Sequence, residues 1–268
     1  MIIAQVTDMH VRARGAPRLN GMDTGQCLAA CVARINGLSP APDVAVLTGD
    51  LVNGGTEDEY EYLRDLLEPL AMPIYLIPGN HDEREAMRRA FRHHDYLPRR
   101  GRLLNYVLDD YPLRFIALDT VIPGEPGGRV GAEQLDWLAA RLAEAPDRPT
   151  VILMHHPPFE TGIVHMDEMN CADAEDLGAV VARHPQVERI LCGHVHRPIQ
   201  VRRFGTFVSI GPSTAFQVAL ELHPEAPASW IAEPPAFHLH LWRPGTGLVS
   251  HTLYVGDFGA PHRFQHAE

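Results

Sequence analysis

Short apolar runs that end in polar, metal-binding types of residue recur along the first 200 positions of the chain. Residues 2–7 form one such run and precede Asp8 and His10, and Val44–Thr48 precedes Asp50. Runs that are apolar throughout predict strands buried on both faces of a sheet. Because the carboxyl ends of parallel strands meet at one edge of a sheet, the polar residues are expected to lie together. Three further runs end in the same way: Ile74–Ile77 before Gly79-Asn80-His81-Asp82, residues 151–154 before His155-His156, and residues 189–192 before Gly193-His194-Val195-His196.

Segments with helical spacing separate most of these runs. Residues 24–36 carry apolar side chains three and four positions apart, and Thr24 is the predicted N-cap. Residues 56–70 begin with Thr56 and Glu59, the pattern of a capping box. Strands that alternate with helices predict an α/β protein in which helices cover a parallel or mixed sheet. Further helices are predicted at residues 83–93, 131–144 and 173–184.

The pattern changes beyond residue 197. Shorter runs at 199–204, 206–210, 238–242 and 248–254 flank a segment rich in Pro, Ala and Trp at 224–235. We expect antiparallel strands here, together with a lid or a subunit contact around Trp230.

Composition narrows the functional classes. The 268 residues are 45% hydrophobic and 21% charged, which is typical of a globular protein with one elaborated core. No run approaches the ~18 apolar residues of a membrane span, and the N-terminus lacks the basic region of a secretory signal. We therefore expect a cytoplasmic protein with no membrane partner. The net charge of -11 argues against a nucleic-acid polymer as partner. The four scattered cysteines are expected to be buried, reduced thiols.

The polar residues at the strand ends suggest a divalent-metal site. Carboxylates and imidazoles together suit iron, manganese, zinc or cobalt, and one central Asp can bridge two metals. Any single member has an ordinary explanation as a turn former, helix cap or core histidine. The recurrence of these types after separate apolar runs favours the metal site. The candidate ligands are Asp8, His10, Asp50, Asn80, His155, His194 and His196.

In this order the motifs resemble those of the calcineurin-like metallophosphoesterases. Within that family, residues 75–78, 154–158 and 166–167 are similar to bacterial binuclear glycerophosphodiesterases and class III 3',5'-cyclic nucleotide phosphodiesterases. The resemblance implies two mixed β-sheets packed as a sandwich, flanked by helices, with a small C-terminal cap or oligomerisation element. Residues 1–200 would be the catalytic core, and residues 201–268 would complete the second sheet and supply the cap. The matching motifs are Asp8-x-His10, Gly49-Asp50, Gly79-Asn80-His81-Asp82, His155-x-Pro157 and Gly193-His194-x-His196.

The resemblance also implies roles for individual residues. Asp8, His10, Asp50 and His196 would hold one metal, and Asp50 would share the second with Asn80, His155 and His194. His156 would be a hydrogen-bonding neighbour of the ligands. His81 would stabilise the phosphoryl oxygens or protonate the leaving alkoxide, and Asp82 would orient His81 or cap the next helix. The residues expected to contact substrate are Asn80, His81, His165, Asp167 and His194.

The expected function is hydrolysis of small phosphodiesters, such as glycerophosphodiesters or cyclic AMP, by in-line attack of a metal-bound hydroxide. Arg12, Arg14 and Arg18 follow the first motif, either as phosphate contacts or as an exposed basic loop. The alternatives are a phosphomonoesterase or nucleotide pyrophosphatase on the same scaffold, and a metal-binding regulatory protein without catalysis. The resemblance further implies a homo-oligomer.

Overall fold

The predicted alternation of strands and helices is confirmed in the computed structural model, which describes residues 1–264. Residues 265–268, the end of the predicted C-terminal segment, lie outside this range. The helices are α1 (Thr24–Asn36), α2 (Glu57–Leu67), α3 (Arg84–Ala90), α4 (Gly131–Ala143), α5 (Val164–Asp167) and α6 (Ala174–Val181). The strands are β1 (Ile2–Val6), β2 (Val44–Thr48), β3 (Ile74–Ile77), β4 (Tyr106–Leu108), β5 (Arg114–Ala117), β6 (Thr150–Leu153), β7 (Val187–Cys192), β8 (Ile199–Arg203), β9 (Thr206–Ile210), β10 (Gln217–Val218), β11 (Trp230–Ile231), β12 (Ala236–Arg243) and β13 (Gly247–Tyr254).

The first sheet has the order β13-β12-β1-β2-β3. Its three strands from the N-terminal part of the chain are parallel, with Ile3 opposite Val44 and Ala45 opposite Ile74. Strand β12 pairs antiparallel with β1, and β13 pairs antiparallel with β12. The carboxyl ends of β1, β2 and β3 therefore lie at one edge of this sheet.

The second sheet has the order β4-β5-β6-β7-β9-β8. Strands β5, β6, β7 and β9 are parallel, and β4 and β8 run antiparallel at the two margins. A hydrogen bond joins the sheets directly, because Gln5 Nε2 on β1 donates to the carbonyl of Cys192 on β7 over 2.9 Å. This contact places the carboxyl end of β7 beside that of β1.

The two sheets share one apolar core and carry helices on their outer faces. One cluster of buried side chains includes Val6 and Leu47 from the first sheet and Phe115, Val151 and Leu191 from the second. A second cluster packs the other face of the second sheet against α4 and α6. These layers confirm the predicted α/β fold of two mixed sheets flanked by helices. Among residues 1–264, no helix combines the length and apolar character needed to cross a membrane.

The predicted division of the chain at residue 200 stays a prediction. That position lies inside β8, and the C-terminal strands extend both sheets rather than completing only the second. Strand β9 inserts beside β7, while β12 pairs with β1 in the centre of the first sheet. Strand β12 covers the edge of β1 that does not pair with β2. Residues 1–200 alone would therefore lack β12 and β13 of the first sheet.

The helix starts follow the predicted capping chemistry with one difference. Helix α1 is capped by Asp23, whose carboxylate accepts from the Gln26 amide over 3.0 Å, so Thr24 is the first helical residue and not the cap. The capping box of Thr56 and Glu59 at α2 is confirmed. Adjacent Asp and Thr are both favoured caps, and the sequence alone does not choose between them.

Candidate metal centre

Five strand ends bring the predicted ligands together. Asp8 follows β1, Asp50 follows β2, Asn80 follows β3, His155 follows β6 and His194 follows β7. These strands are mostly apolar and mostly buried, and in each sheet the parallel strands end at the same edge. The two ligands not directly at a strand end, His10 and His196, lie two positions after Asp8 and His194.

The backbone at most of these ligands is left-handed. The structure gives φ of 52° for Asp8, 46° for His10, 48° for Asp50, 75° for His194 and 53° for His196. A positive φ is uncommon outside glycine and persists only when the surrounding structure enforces it. The strained corners turn each side chain back across the sheet edge towards its neighbours.

One donor group contains Asp8, His10, Asp50 and His196, whose ligand atoms lie within 4.8 Å of one another. His10 Nε2 is 3.0 Å from His196 Nε2 and 3.5 Å from Asp50 Oδ2. His196 Nε2 is 3.6 Å from Asp8 Oδ1. Two imidazoles and two carboxylates that converge in this way form a mixed oxygen and nitrogen site.

A second donor group is formed by Asn80, His155 and His194. The Asn80 Oδ1 atom is 3.2 Å from His155 Nε2 and 3.1 Å from His194 Nδ1. His155 Nε2 is in turn 3.4 Å from Asp50 Oδ2, the same oxygen that faces His10. Asp50 therefore stands between the two groups, where a carboxylate that bridges two metals is needed.

The charges of the site fit bound cations. Asp8 is fully buried and Asp50 is 2% exposed, yet within residues 1–264 no Lys or Arg forms an ion pair with either carboxylate. Buried carboxylates are costly unless they are paired or bind a metal. Asp8 does accept two hydrogen bonds from the His194 amide, but amide bonds do not neutralise its charge. The donor set thus fits two divalent metals of the iron, manganese, zinc and cobalt class.

Backbone carbonyls fix the orientation of two ligand histidines. His155 Nδ1 donates to the Thr48 carbonyl over 2.8 Å, and His196 Nδ1 donates to the Phe216 carbonyl over 3.0 Å. Because a carbonyl only accepts, the proton sits on Nδ1 in each ring and leaves the Nε2 lone pair directed at the site. Such partners of metal-binding imidazoles set the tautomer and raise basicity.

Without metals the site holds strongly shifted pKa values. Burial raises the pKa of Asp8 and outweighs the opposing effect of His196. Burial also acts to raise the pKa of Asp50, but the His155 imidazole beside it holds that pKa well below the usual range. For His155, burial is outweighed by the Asp50 carboxylate, and the pKa rises to about 9. The opposite shifts of Asp50 and His155 reflect the attraction between two groups that lie 3.4 Å apart, and binding of metal to these groups would be coupled to release of protons.

His156 is close to the ligands but is occupied elsewhere. Its donor atoms lie near those of His155 and His194. However, Nδ1 is 2.7 Å from Thr120 Oγ1 and Nε2 is 3.2 Å from the Pro126 carbonyl. With both nitrogens engaged, His156 is a hydrogen-bonding neighbour of the ligands, as the motif predicts.

His81 lies at the exposed side of the centre. Its ring centroid is 4.6 Å from that of His10 in an edge-on contact, and its Nδ1 donates to the Asn53 carbonyl over 2.8 Å. The His81 amide donates to Asp50 Oδ1 over 3.0 Å. His81 is thus tied to Asp50 through its backbone, while its exposed ring lies beside His10.

The predicted role of Asp82 as the support of His81 stays a prediction, because the hydrogen bonds of its carboxylate go to other residues. The buried Asp82 carboxylate accepts from the Tyr60 hydroxyl over 2.8 Å, the Gly79 amide over 2.8 Å and the Leu51 amide over 3.1 Å. It also does not cap α3, because Glu83 is the N-cap. The Asp82 carboxylate connects the corner after β2 with the corner after β3. The hydrogen bond to the His81 ring comes from the Asn53 carbonyl.

Glycines in the motifs leave room for the ligands. A Cβ atom on Gly49 would lie 2.3 Å from His155 Nδ1, and one on Gly193 would lie 2.1 Å from Thr7 Oγ1 and 3.0 Å from Asp8 Oδ2. Distances below 3.0 Å are not tolerated by a real Cβ atom, so something must shift. The glycines therefore allow side chains of neighbouring strands to approach the backbone.

The predicted substrate contacts in the loop at 159–171 receive no support. The Asp167 carboxylate accepts from the Thr161 amide and hydroxyl and from the Gly162 amide, at 2.7 to 2.8 Å, which braces its own loop. His165 is partly exposed on α5, and its role as a substrate contact stays a prediction. Asn80 and His194, by contrast, are in the donor groups.

The arginines after the first motif are engaged locally. Arg14 pairs with Asp65 at 3.1 Å, while Arg12 and Arg18 donate to the carbonyls of Pro17 and Gly21. These contacts favour the interpretation as an exposed basic loop.

Phe216 was not predicted from the sequence. Its carbonyl orients His196, and its ring lies 5.0 Å from the His196 ring and 5.9 Å from the His10 ring, measured between centroids. The Trp230 ring is 6.0 Å from Phe216, so the ribbon of β10 and β11 lies next to the first donor group. A carbonyl acceptor has no sequence signal, and one Phe after a strand is too common to serve as one.

Comparisons with known proteins place this site in context. A family model for the calcineurin-like phosphoesterases matches residues 1–198. The probable glycerophosphodiester phosphodiesterase GpdQ of Arcobacter nitrofigilis is 37% identical over 265 residues, which cover 98% of this chain and 97% of that protein. The glycerophosphodiester phosphodiesterase GpdQ of Enterobacter lignolyticus is 32% identical, with 97% and 94% covered. The 3',5'-cyclic adenosine monophosphate phosphodiesterase CpdA of Pseudomonas aeruginosa is 34% identical, with 82% and 78% covered.

Solved structures agree on the fold. A dimetal phosphatase from Danio rerio has a TM-score of 0.69 at 14% identity, and the match covers 95% of this chain and 99% of that chain. At this identity the likeness concerns the architecture of two sheets and flanking helices.

Proposed function

Because the chain belongs to the calcineurin-like phosphoesterase family, we propose that it is a binuclear metal-dependent phosphodiesterase acting on small phosphodiesters. The observation that carries the proposal is the pair of donor groups joined at Asp50 Oδ2, 3.5 Å from His10 Nε2 and 3.4 Å from His155 Nε2. Metal pairs in such sites polarise a phosphoryl group and activate a nucleophile.

The donor groups would divide between two metals. Asp8, His10, Asp50 and His196 would hold the first, and Asp50, Asn80, His155 and His194 the second. When bound, the metals supply Lewis-acid chemistry to the phosphoryl group. The backbone carbonyls of Thr48 and Phe216 keep the ligand lone pairs aimed at them.

His81 is proposed as the proton donor to the leaving group. With Nδ1 committed to the Asn53 carbonyl, the ring gains or loses its second proton at Nε2. As the bond between the hydroxide oxygen and phosphorus forms and the bond to the alkoxide breaks, a proton on Nε2 passes to the departing oxygen. The exposed position of His81 gives the alkoxide access to this atom.

Glycerophosphodiesters are the proposed substrates, with cyclic nucleotides as the second class. The relatives named for glycerophosphodiesters align with 97 to 98% of this chain, whereas the relative named for cyclic AMP aligns with 82%. The fuller coverage supports a shared C-terminal region, which here holds the ribbon of β10 and β11 next to Phe216.

A substrate panel tests the reaction class. Purified protein loaded with Mn²⁺ would be assayed on glycerophosphoethanolamine, cyclic AMP, bis(p-nitrophenyl) phosphate and p-nitrophenyl phosphate. We expect the diesters to be cleaved with a higher kcat/KM than the monoester. Faster cleavage of p-nitrophenyl phosphate would favour the phosphomonoesterase alternative, and no turnover by metal-loaded protein would favour the regulatory one.

The role of His81 has a separate test. His81→Ala should retain two metals per chain and lose about 100-fold or more in kcat, the usual contribution of general acid catalysis. The matched control is His93→Ala, which removes another exposed histidine outside the site and should leave kcat unchanged. Normal turnover by His81→Ala would remove this residue from the mechanism.

Assembly into a homo-oligomer is proposed on the exposed apolar surface of the ribbon. Trp230 and Ile231 of β11, and Leu220 and Leu222 after β10, are 43 to 60% exposed, and exposed apolar side chains of this kind suit a subunit contact. Light scattering after gel filtration tests the proposal, since a wild-type monomer would contradict it. Leu220→Ser with Leu222→Ser should shift an oligomer towards monomers.

A further inference from the structure

A small polar cavity lies between the two sheets, away from the metal centre. Its volume is about 90 Å³, and its lining includes Arg189 of β7, Ser209 of β9, His238 of β12 and Ser250 and Thr252 of β13. The predicted metal ligands are not among its lining residues. Elsewhere between the sheets the buried polar side chain of Gln5 is hydrogen-bonded to Thr48 and Cys192, so polar atoms without a partner in this cavity require an explanation.

Arg189 is a buried cation without a carboxylate partner. It is 8% exposed, and within residues 1–264 no Asp or Glu forms an ion pair with it. Its Nη1 atom donates to Ser250 Oγ over 2.5 Å and its Nη2 atom donates to the Leu248 carbonyl over 3.0 Å. Its Nε atom has no partner in the described chain. The charge of Glu188, its neighbour in sequence, acts to raise the pKa of Arg189, but burial outweighs it and lowers that pKa. The two side chains form no ion pair, since successive strand residues point to opposite faces of the sheet.

Two further polar atoms in the lining also have no partner among the described residues. They are Ser209 Oγ and His238 Nδ1, on side chains that are 3% and 6% exposed. Buried polar groups in proteins are nearly always hydrogen-bonded, and an unpaired buried charge is more costly still. Three unsatisfied groups, one cationic and two able to donate a hydrogen bond, line one cavity.

The cavity is lined by a cationic side chain, whereas the metal centre is lined by carboxylates. Burial, and then the charge of Arg189, lower the pKa of His238 to about 4. His240, which follows on β12 with its ring 5.6 Å away, is also neutral because burial holds its pKa well below the usual value. The lining residues carry positive charge and hydrogen-bond donors, and Asp and Glu are absent from them.

We propose that this cavity binds one small inorganic anion, which accepts hydrogen bonds from Arg189 Nε, Ser209 Oγ and His238 Nδ1. The cavity volume equals that of about three water molecules, which is enough for chloride or phosphate and too small for a nucleotide or a glycerophosphodiester. The donors come from β7 and β9 of one sheet and β12 of the other. A bound anion therefore links the two halves of the sandwich and stabilises the folded state.

Anion-dependent melting of three proteins tests the proposal. Wild type, Ser209→Ala and the control Thr206→Val would be titrated with phosphate, and separately with chloride, at constant ionic strength balanced by gluconate. Thr206 lies on the same strand as Ser209 and also has a buried hydroxyl without a described partner, but it faces the other side of the sheet. All three proteins keep the metal ligands, so binding of phosphate at the metal centre is common to them.

The proposal predicts a saturable rise in melting temperature with phosphate, chloride or both in wild type and in Thr206→Val. Ser209→Ala should need about tenfold more anion for half-saturation, because it loses one hydrogen bond to a charged group. Response to chloride and phosphate alike would indicate a general anion site, and response to phosphate alone an oxyanion site. Equal responses in all three proteins, or no saturable response in wild type, would overturn the proposal and leave a cavity that holds water.

A second measurement does not depend on stability. In NMR titrations of the His238 ring, the anion should raise the pKa of His238 by about one unit or more, since a nearby negative charge favours the protonated ring. Thr206→Val should show the same rise and Ser209→Ala a smaller one at equal anion concentration. An unchanged pKa in saturating phosphate and chloride would contradict binding at this cavity.

Discussion

The backbone of Gly79 lies against the carboxylate of Asp50, so closely that a Cβ atom at position 79 would stand 2.3 Å from Asp50 Oδ1. Gly79→Ala should therefore displace the bridging carboxylate and lower bound metal below two ions per chain, with loss of diesterase activity. Metal content measured by mass spectrometry after gel filtration checks this. The control is Gly37→Ala, where the nearest atom to the new Cβ is 3.5 Å away and metal content should not change. Full metal occupancy in Gly79→Ala would contradict the prediction.

Asn80 would offer a neutral oxygen to the proposed second metal, which shares Asp50, whereas the proposed first metal would have the carboxylates of both Asp8 and Asp50. An amide binds a cation less strongly than a carboxylate does, so we expect the second metal to be the weaker one, filled completely only with substrate. Asn80→Asp should tighten that site by roughly tenfold in metal affinity. Calorimetric titration of metal into wild type and variant measures the difference. Two equally tight wild-type sites in the absence of substrate would show that the prediction is wrong.

Tyr60 supports the corner that carries Asn80 and His81. Its buried hydroxyl donates to Asp82 over 2.8 Å and accepts from the Glu83 amide over 3.1 Å. Tyr60→Phe removes one hydrogen bond from the buried Asp82 carboxylate and takes away the acceptor of the Glu83 amide, and it should lower the free energy of unfolding by about 1–3 kcal/mol. Urea denaturation measures this, with Tyr62→Phe as the control, since its partly exposed ring should tolerate the change within about 0.5 kcal/mol. Equal stabilities of the two variants would argue against the proposed support.

Lowering the pH should reduce the free energy of unfolding, because His238 becomes protonated. Its pKa is lowered to about 4, so its contribution to stability is complete above the unfolded value near 6.5 and is lost as the pH falls from 6.5 towards 4. The full loss is about 3 kcal/mol, at roughly 1.4 kcal/mol per pKa unit. The charged or titratable neighbours are Arg189 across the sandwich and His240 on the same strand.

Comparison with His238→Asn isolates this contribution. The difference in free energy of unfolding between wild type and variant, measured in urea between pH 4 and 7.5 in low-anion buffer, should shrink as the pH falls. A difference independent of pH would exclude His238 as the titrating group.

Thiol reactivity should follow burial. Cys31, Cys171 and Cys192 are buried, and burial raises the pKa of each thiol, to about 12 for Cys171. Cys27 is partly exposed. A thiolate-specific reagent at pH 8 should therefore modify about one thiol per native chain and all four in denaturant. Cys27→Ala should abolish the native reaction; rapid modification of that variant would mean that a buried thiol is accessible.

The strand ends were predictable because chemistry and periodicity coincide there. Runs buried on both faces can only be interior strands, and Asp50 or His194 directly after such a run has to lie at the sheet edge. Backbone acceptors were not predictable, since the carbonyls of Thr48, Asn53 and Phe216 are independent of residue type. Asp82 shows the same limit, because a carboxylate in a motif can brace two corners as well as orient a catalytic ring.

The placement of β12 was unpredictable for a different reason. An alternating run such as His238–Trp242 fits the margin of either sheet, and the choice depends on which partner edge remains open after β1 and β2 have paired. The polar cavity follows from that choice, because Arg189 and His238 are 49 positions apart and meet only across the sandwich.

The left-handed backbone at Asp8, His10, Asp50, His194 and His196 means that the protein sets the shape of the centre before any ion arrives. Packing of the surrounding sheets, rather than binding of a cation, stabilises the left-handed backbone at these five residues. The donor atoms would then meet any bound divalent cation in positions that the fold has already set.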